Sequence, residues 1–331
     1  MATVDGEAPL RIGVLGAARI TPMALLTPAR RTADAEVVAI AARDPARAGA
    51  FAARHGIPRV HADYDALIDD PAIDAVYNPL PNSHHGVWTI RALEAGKHVL
   101  CEKPFAVDAV EAEGMATAGR RSGRVLMEAF HYRYHPLFAR LLAIIDAGEI
   151  GQVRHLEAHF CIPLPRPSDI RYRADLAGGA LMDTGCYTIS ILRHLARAEP
   201  TVVSARARWT RGGVDRWCAA ELAFPGGRTA RLTCALWSAV GVRMSARVVG
   251  SAGTLGVINP IAPQFWHRLS VRTARERRAE RVAGPSSYAG QLRAFVDAIR
   301  RGTPFPTTPE DAVANMRVID AIYAAAGRPQ R

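Results

Sequence analysis

Short apolar runs alternate with amphipathic stretches over the first 130 residues of the chain. The apolar runs are rich in β-branched residues and predict strands at residues 11–15, 36–42, 74–78, 98–101 and 124–128. The stretches between them predict helices at residues 45–56, 87–96 and 108–123, each ending at a glycine suited to a helix C-cap. Strands alternating with helices predict a doubly wound parallel sheet, so residues 1–130 are expected to form a dinucleotide-binding Rossmann domain.

The pattern changes beyond about residue 150, where strand-like runs follow one another without helices between them. Their alternation predicts a largely antiparallel sheet, with strands at residues 153–160, 201–210, 218–224, 229–237 and 246–253. Helices are predicted near residues 178–195, 286–300 and 308–326. The predicted fold class is therefore α/β: the Rossmann domain is followed by a C-terminal α+β domain, residues 131–331, with an open, mostly antiparallel sheet.

The composition is that of an ordinary globular protein, since 49% of the 331 residues are hydrophobic and 22% are charged. No apolar run approaches the roughly 18 residues of a membrane-spanning helix, so no membrane association is expected. Residues 1–10 lack a basic region followed by an apolar core, which predicts a cytoplasmic protein without a secretory signal. The five cysteines are scattered and lack metal-ligand spacing, so buried free thiols and no metal site are expected.

The formal net charge of +11 has two interpretations. Residues 267–282 carry six arginines, which suggests a nucleic-acid-binding surface. No recognised nucleic-acid-binding motif accompanies them, so a solvated, arginine-rich edge or loop is favoured and no nucleic-acid partner is expected. The positive excess is instead compatible with an anionic cofactor.

The turn after the first predicted strand reads GVLGAARIT. Against the dinucleotide-binding fingerprint, Gly16 takes the first glycine position, whereas Ala18 and Thr21 stand at the second and third. A small residue still lets the backbone approach a pyrophosphate, and the next helix would supply its N-terminal amides. The turn predicts cofactor contacts from Gly16, Ala17, Ala18, Arg19 and Ile20. An ordinary tight strand-to-helix turn is the alternative.

The end of the second predicted strand distinguishes between the two nicotinamide cofactors. An NAD site places an acidic residue there to bind the ribose 2′-hydroxyl, but this chain has Ala42 followed by Arg43. Asp44 lies one position further and is better suited to cap the helix that begins at Pro45. Because Arg43, together with Arg47, can pair with a 2′-phosphate, the sequence predicts NADP rather than NAD.

The loop NPLPNSHHG, residues 78–86, follows the third predicted strand, where an open α/β sheet presents its ligand crevice. Leu80, Pro81, Asn82 and His85 are predicted cofactor contacts, with His85 facing the nicotinamide end. A loop histidine is more often simply solvated, and His84 is the weaker of the two candidates.

Lys103 is one of only two lysines among 42 basic residues, the other being Lys97. A lysine can lose its proton once it is desolvated, whereas an arginine cannot, so Lys103 is a candidate for proton transfer. Asp183 and Tyr187 are four apart in an apolar helical stretch, which places a carboxylate and a phenol on one face. Hydride transfer from a carbinol needs a partner for the hydroxyl proton, so all three are predicted catalytic residues. The alternative is a capping Asp183 and a half-buried Tyr187.

Four motifs together carry a resemblance to a known family: PNSHH (81–85), CEKP (101–104), EAFHYRYHP (128–136) and GGALMDTGCY (178–187). With them the chain resembles the glucose-fructose oxidoreductase and inositol dehydrogenase family over nearly its whole length. The combination of EAF, YRYHP and a tyrosine four residues after the aspartate is most similar to the NADP-dependent xylose dehydrogenase and dihydrodiol dehydrogenase branch.

The resemblance implies roles for particular residues. Lys103 would lie beside the nicotinamide and the substrate hydroxyl, with Glu102 behind it and a cis bond allowed before Pro104. Asp183 and Tyr187 would form the substrate-side pair, with Tyr187 as the acid/base. Tyr288, with Gln291 nearby in the chain, matches a segment that often returns to the cofactor.

The resemblance also implies an assembly, because in this family the open sheet often serves as an oligomer interface. A homodimer or homotetramer formed through the C-terminal sheet is therefore expected. The chain departs from the family pattern at Ala18, and at His84 and His131, where apolar residues are commoner. The two histidines leave the exact substrate open.

The leading hypothesis is an NADP-dependent oxidoreductase that transfers a hydride between a nicotinamide and a carbinol or carbonyl of a sugar, polyol or diol. A nucleotide-binding sensor without turnover is the alternative, although a sensor has no physical need for Lys103, Asp183 and Tyr187 together. Glycoside cleavage through transient oxidation is a third hypothesis. Arg43 disfavours it, because that cycle keeps a tightly held NAD.

Overall fold

The computed structural model describes residues 8–238 and 241–328. The prediction that the chain has no secretory signal concerns residues 1–10, and residues 1–7 lie outside the described part. The chain forms two compact units and crosses between them more than once. One unit runs to His131 and includes Tyr288–Val313, and the other comprises Tyr132–Ser287 and the residues from Ala314 onward. His131 and residues 288–313, which the sequence assigned to the C-terminal domain, thus belong to the first unit.

The first unit contains a six-stranded parallel sheet in the order β3-β2-β1-β4-β5-β6. Its strands are β1 (Leu10–Leu15), β2 (Ala35–Ala41), β3 (Arg59–Val60), β4 (Ala75–Asn78), β5 (His98–Cys101) and β6 (Leu126–Glu128). The buried core of the sheet consists of nearly continuous apolar runs, as expected for parallel strands that are covered on both faces. The predicted Rossmann-type sheet is confirmed.

The crossover helices are α1 (Thr27–Ala29, preceded by a π-helical turn at Pro22–Leu26), α2 (Pro45–His55), α3 (Tyr64–Ile68), α4 (His85–Glu94) and α5 (Ala109–Ser122). Three of them, α2, α3 and α5, begin at a capping aspartate, whereas α1 and α4 have no side-chain cap. Asp44 caps α2 as predicted, because its Oδ1 accepts hydrogen bonds from the N–H groups of Ala46 at 3.0 Å and Arg47 at 3.4 Å. Gly56 ends α2 with a φ of +66°, which favours glycine over residues that carry a Cβ.

The second unit contains an eight-stranded sheet in the order β14-β13-β12-β11-β7-β10-β9-β8. Its strands are β7 (Val153–Cys161), β8 (Thr201–Trp209), β9 (Asp215–Phe224), β10 (Arg228–Ala235), β11 (Arg243–Gly250), β12 (Gly253–Ile258), β13 (Arg268–Thr273) and β14 (Arg277–Glu280). Only the β7–β10 pair is parallel among these neighbours in the described chain. The predicted, mostly antiparallel sheet is confirmed. The run predicted as one strand over 246–253 instead turns at Ser251 and Ala252, which separate β11 from β12.

The remaining helices are α6 (Pro136–Asp146), α7 (Cys186–Ala196, preceded by a π-helical turn at Leu181–Gly185), α8 (Ser287–Arg301) and α9 (Pro309–Ala325). Helix α7 packs against β7, and buried apolar side chains of both elements, such as Ile189 and Leu156, form the core between them. One face of the sheet therefore supports the helix that carries Asp183 and Tyr187 at its N-terminal end.

The arginine-rich segment 267–282 forms β13 and β14, an antiparallel hairpin at the edge of the sheet. Arg278 forms ion pairs with Glu149, Glu276 and Glu280, and Arg140 also pairs with Glu280. These pairs hold the pKa of the Glu280 carboxyl down at about 2, chiefly through the Arg140 hydrogen bond. The prediction of an arginine-rich edge is correct, and part of its charge is neutralised locally.

All five cysteines are buried and unbridged, as predicted. Within residues 8–238 and 241–328, no helix is both long and apolar enough to cross a membrane. The same described residues contain no cluster of three or more histidine, cysteine or acidic side chains that could hold a metal ion.

Candidate active site

The predicted cofactor-binding segments of the first unit lie at one edge of its sheet. Strands β2, β1, β4 and β5 are adjacent and parallel, so their carboxyl ends meet at this edge. The segments Gly16–Ile20, Ala42–Arg43, Leu80–His85 and Glu102–Lys103 each follow one of these strands. This is the edge at which open α/β sheets bind their ligands.

The turn after β1 is held in a conformation that requires glycine. Gly16 has a φ of +82°, and its N–H donates to Ala41 O at 2.6 Å. A Cβ at this position would lie 2.9 Å from the Leu80 Cδ2 atom. The Arg47 guanidinium donates to Ala17 O at 3.2 Å and ties the turn to the start of α2. The backbone of this turn is thus fixed and open to close approach by a ligand.

The segment after β2 presents two arginine side chains, and its one carboxylate, that of Asp44, is engaged in capping α2. Ala42 is buried, Arg43 and Arg47 are exposed, and the Arg43 N–H donates to the Tyr64 hydroxyl at 3.3 Å. The Asp44 carboxylate already caps α2. These residues fit an anionic 2′-phosphate, and they do not fit a ribose 2′-hydroxyl that needs a carboxylate acceptor.

Glu102 and Lys103 follow β5, and the Glu102 carboxylate is hydrogen-bonded to a buried tyrosine. The Tyr77 hydroxyl donates to Glu102 Oε1 at 2.7 Å, and Glu102 Oε2 accepts from the Lys103 N–H at 3.3 Å. Burial and then the Glu102 charge raise the pKa of Tyr77 well above its ordinary value, so Tyr77 remains a donor. The Lys103–Pro104 peptide bond is cis, as the family resemblance allows. Glu102 is thus fixed beside the Lys103 backbone, and its place behind the Lys103 ammonium remains a prediction.

The His85 side chain lies between two loops at this edge of the sheet. The fully buried ring places Nδ1 2.8 Å from Pro104 O and Nε2 2.8 Å from Leu80 O. Burial is the main reason that the pKa of His85 is lowered to about 4. The nearby Lys103 charge adds to this shift, whereas the two carbonyls oppose it because they favour the doubly protonated ring. The ring thus lies between the Leu80 loop and the Lys-Pro segment, and in its neutral form it donates to only one of the two carbonyls at a time. A direct contact between His85 and the cofactor remains a prediction.

His131 and Tyr288 extend the surroundings of Lys103. Their rings stack with centroids 4.0 Å apart. Burial and then the Lys103 charge lower the pKa of His131 to about 3, whereas burial and then the Glu102 charge raise that of Tyr288. His131 therefore presents a neutral ring, and the Tyr288 phenol stays protonated near Glu102. A contact between the Tyr288 segment and the cofactor remains a prediction.

The second unit carries Asp183 in the π-helical turn and Tyr187 in the first turn of α7. Asp183 Oδ2 accepts a hydrogen bond from Arg171 Nε at 2.7 Å. Tyr187 is 5% exposed, with its ring 5.9 Å from that of Tyr132 and 5.6 Å from that of Phe160. The Tyr187 phenol is therefore held by aromatic packing. The side chain is buried, whereas the alternative interpretation expected it to be half-buried.

A buried carboxylate holds the start of this helix. Asp215 of β9 accepts hydrogen bonds from the Leu181 N–H at 2.8 Å and the Tyr323 hydroxyl at 2.7 Å. Gly179 has a φ of +139°, and a Cβ there would lie 2.2 Å from Asp215 Oδ1. The second glycine of the GG pair thus leaves the space that Asp215 occupies, and Asp215 fixes the turn that carries Asp183.

Sequence reasoning did not identify Tyr77, Arg171 or Asp215. Tyr77 lay within a predicted strand, and Arg171 lay in a polar loop with no periodicity. Asp215 lies beside Arg216 just before the strand predicted at residues 218–224, and this polar context did not mark it as buried. The partners of all three are far away along the chain.

A doubly wound dinucleotide-binding sheet and a second unit with an open sheet define a class of nicotinamide-dependent oxidoreductases. Residues 10–130 match the oxidoreductase family with an NAD-binding Rossmann fold, and residues 138–256 match the GFO/IDH/MocA C-terminal domain. The chain belongs to this family. The family resemblance and the predicted class of enzyme are both confirmed.

Relatives with named activities cover almost the whole chain. The chain is 37% identical to the D-xylose 1-dehydrogenase (NADP(+)) 2 of Haloferax volcanii, with 96% of this chain and 97% of the relative covered. It is also 37% identical to a dTDP-3,4-didehydro-2,6-dideoxy-alpha-D-glucose 3-reductase of Streptomyces violaceoruber, with 96% and 95% covered.

A crystal structure of a 3-ketoreductase from Actinomadura kijaniata, in complex with NADP and TDP-benzene, has the same fold. It superposes with a TM-score of 0.90 at 33% sequence identity, with 96% of this chain and 98% of the other covered. The observed fold class thus agrees with that of a solved relative over nearly all of both chains.

Proposed function

We propose that this protein is an NADP-dependent oxidoreductase that transfers a hydride between the nicotinamide and a carbinol or carbonyl carbon of a sugar, polyol or diol. The observation that carries the proposal is Lys103, which follows β5 next to a Glu102 side chain that is held by the Tyr77 hydroxyl. It lies at the same sheet edge as the Gly16 turn and the Arg43 segment. A titratable ammonium at a dinucleotide-binding edge suits the proton transfer that accompanies oxidation of an alcohol.

Residues of the first unit would hold NADP. The Gly16 turn lets the backbone approach the pyrophosphate, and Arg43 and Arg47 neutralise the 2′-phosphate. The bound nicotinamide supplies the hydride acceptor or donor. NADP is favoured over NAD because the Ala42 side chain offers no acceptor to a ribose hydroxyl and the Asp44 carboxylate is occupied as a helix cap. The names of the xylose dehydrogenase relative and of the solved 3-ketoreductase complex both include NADP.

Three residues are assigned to the substrate. Lys103 holds the reacting oxygen and shares its proton, Tyr187 acts as the acid/base, and Asp183 accepts a hydrogen bond from a further hydroxyl. The aromatic packing around Tyr187 limits movement of the phenol. The Arg171 guanidinium beside Asp183 favours its carboxylate form, which is an acceptor only.

A substrate panel tests this function. The purified protein is incubated with NADP+ or NAD+ and with aldoses, inositols and vicinal diols, and the reduced cofactor is followed by absorbance. A dTDP-linked keto sugar with NADPH tests the reverse direction, since one group of relatives is named for that reaction. Reduction of NADP+ by at least one neutral sugar or diol, or oxidation of NADPH by the keto sugar, is expected.

The nucleotide-binding sensor is tested in the same experiment. A sensor would bind NADPH, detected by its fluorescence, and turn over no member of the panel. Binding without turnover in both directions would reject the oxidoreductase. A clear preference for NAD+ would reject the cofactor assignment.

We also propose that the protein assembles as a homodimer or homotetramer through the sheet of the second unit. Val203 on β8 and Ile258 on β12 are large apolar side chains of this sheet that are 64% and 46% exposed, and an interface would cover them. Light scattering should give a mass of two or four chains, and Val203→Asp should lower it. A monomer at micromolar concentration would contradict the assembly. A cytoplasmic location remains a prediction from the sequence.

A further inference from the structure

The face of the eight-stranded sheet that points away from α7 carries polar side chains in register on adjacent strands. Phe160 of β7 packs against a tyrosine ring of α7, with ring centroids 5.6 Å apart, so its side of the sheet faces that helix. Because side chains alternate along a strand, His159 and Glu157 point to the other side. They lie opposite Ser245 and Arg247 of β11. Opposite residues share a face, so these four side chains lie together on the face away from α7.

A pocket of about 340 Å³ lies on this face. Its lining includes His159 and Glu157 of β7 and Arg243, Ser245 and Arg247 of β11. A single water needs only about 10–15 Å³, so the pocket has room for a polyatomic ion together with waters. A strand rise of about 3.4 Å per residue places Arg243 and Arg247 about 14 Å apart, with Ser245 midway between them. Both guanidiniums can therefore reach an ion that is held beside Ser245.

His159 is the side chain that indicates a ligand. It is 9% exposed, and within the described residues neither of its ring nitrogens has a hydrogen-bond partner. Glu157 Oε2 lies 4.0 Å from His159 Nε2, which is too far for a hydrogen bond. Burial and then the Arg243 charge lower the pKa of His159, so the ring is neutral at pH 7 with one N–H to donate. A buried imidazole without partners is costly, and a ligand that accepts from its N–H would offset that cost.

The charge of the lining favours an anion. The exposed Arg243 and Arg247 stand against one carboxylate, that of Glu157, so the lining carries one net positive charge while the histidine is neutral. The Glu157 carboxylate also lies near a second histidine, with Oε1 3.6 Å from His155 Nε2. The described residues nevertheless contain no set of three such side chains that could hold a metal ion. Guanidiniums are suited to phosphate oxygens, which they bind through paired hydrogen bonds.

We propose that this pocket binds a phosphate group, either free or as a monoester. The phosphate oxygens accept hydrogen bonds from the Arg243 and Arg247 guanidiniums, the Ser245 hydroxyl and the His159 N–H. The pocket belongs to the second unit, whereas the cofactor-binding edge belongs to the first. The proposal therefore does not depend on hydride transfer.

A second copy of the chain is the other candidate occupant of this face. A copy related by a twofold axis would bring its own Arg243 and Arg247 to the same region. Like charges that face each other disfavour such a contact, whereas a phosphate neutralises them. The charge of the pocket thus favours the phosphate.

Calorimetric titration tests the site in the whole protein. Sodium phosphate and, separately, glycerol 1-phosphate are titrated at constant ionic strength, with chloride as the balancing anion. At least one probe should bind saturably at one per chain, and the probe that binds more tightly identifies the source of the phosphate group. His159→Phe, Arg243→Ala and Arg247→Ala should each weaken binding by about tenfold or more, because each removes a contact to a charged ligand.

His159→Phe should keep the thermal midpoint of the wild type or raise it, since it removes buried polar atoms without partners. Arg247 is exposed, so Arg247→Ala carries the test should His159→Phe fail to fold. Glu157→Gln removes the competing carboxylate and should tighten binding by about threefold or more, an increase that mere loosening of the sheet would not produce.

Two control variants locate the bound phosphate. Arg206 is exposed and lies in the same cross-strand row as His159, three strands away and outside the pocket. Arg206→Ala removes the same charge from the same face and should bind like the wild type. Arg43→Ala should also bind like the wild type, because a phosphate bound at the cofactor edge would lose affinity in that variant.

Three outcomes would overturn the proposal. The first is no saturable binding of either probe, and in a protein that is already a dimer this result would give the His159 ring to the second copy. The second is loss of binding in Arg43→Ala with unchanged binding in Arg247→Ala, which would place the phosphate at the cofactor edge. The third is an equal loss in Arg247→Ala and Arg206→Ala, which would show only a general effect of charge.

Discussion

Asp215 is a buried carboxylate whose protonation should control the stability of the fold. It is 1% exposed and accepts hydrogen bonds from Tyr323 and Leu181. Burial outweighs both donors and raises the pKa of Asp215 from its ordinary value of 3.8 to about 7. The folded protein therefore retains this proton over a range of pH in which the unfolded chain has released it.

The sign of the effect follows from proton linkage. Because the folded state binds the extra proton, stability falls as the pH rises from about 4 to about 7 and levels off above that. A difference of about three pH units at about 1.36 kcal/mol per unit gives a loss of about 4 kcal/mol. Asp215→Asn cannot titrate, so its contribution should be constant over the same range.

The assay is urea unfolding of the wild type and of Asp215→Asn between pH 4 and pH 8. All other titrating groups are shared, so they largely cancel in the difference between the two free energies of unfolding. The wild type minus Asp215→Asn difference should shrink by about 4 kcal/mol as the pH rises. A difference that is constant to within about 1 kcal/mol, or one that grows with pH, would refute the reasoning about burial.

Three further variants test the roles proposed for Arg43, Tyr187 and Tyr77. Arg43→Ala should raise the KM for NADP by about 10- to 150-fold, because a charge-assisted contact of about 1.5–3 kcal/mol is lost, and should change the KM for NAD little. Equal rises in the two KM values in initial-rate assays would contradict the 2′-phosphate role. Tyr187→Phe should lower kcat by about two to four orders of magnitude, with NADPH binding by fluorescence unchanged, and intact turnover would leave Tyr187 a packing residue. Tyr77→Phe removes the 2.7 Å hydrogen bond to Glu102 and should lower the free energy of unfolding by about 1.5–3 kcal/mol in urea titrations. An unchanged free energy of unfolding would show that this hydrogen bond makes no net contribution to stability.

Features that depend on neighbours in the chain were predictable from the sequence. The Asp-Pro pair at residues 44 and 45 indicated the start of α2 because capping is a local interaction. Strands β1, β2 and β4 were predicted to within a residue at each end, since each is a buried apolar run bounded by polar or turn residues. The hairpin in the arginine-rich segment was missed, because edge strands with charged side chains lack an apolar alternation.

Contacts between distant residues were not predictable in this way. The sequence indicated Asp183, but its partner Arg171 lies in an irregular loop that only the folded chain brings to it. Likewise His85 was identified as a loop histidine, and nothing local showed that both ring nitrogens meet backbone carbonyls. Pairing of β7 with β10 in parallel also depends on the whole sheet. The family resemblance assigned roles to Lys103, Asp183 and Tyr187, yet it did not supply the residues that hold them.

The central claim is that Lys103 takes part in proton transfer, and the comparison of Lys103→Arg with Lys103→Ala tests it most directly. Arginine keeps the positive charge but cannot lose a proton, so kcat should collapse in Lys103→Arg almost as far as in Lys103→Ala. NADPH fluorescence should show that both variants still bind the cofactor. If Lys103→Arg retained more than about a tenth of the wild-type kcat, a penalty below about 1.4 kcal/mol, Lys103 would be a positive anchor and the proton-transfer role would be contradicted.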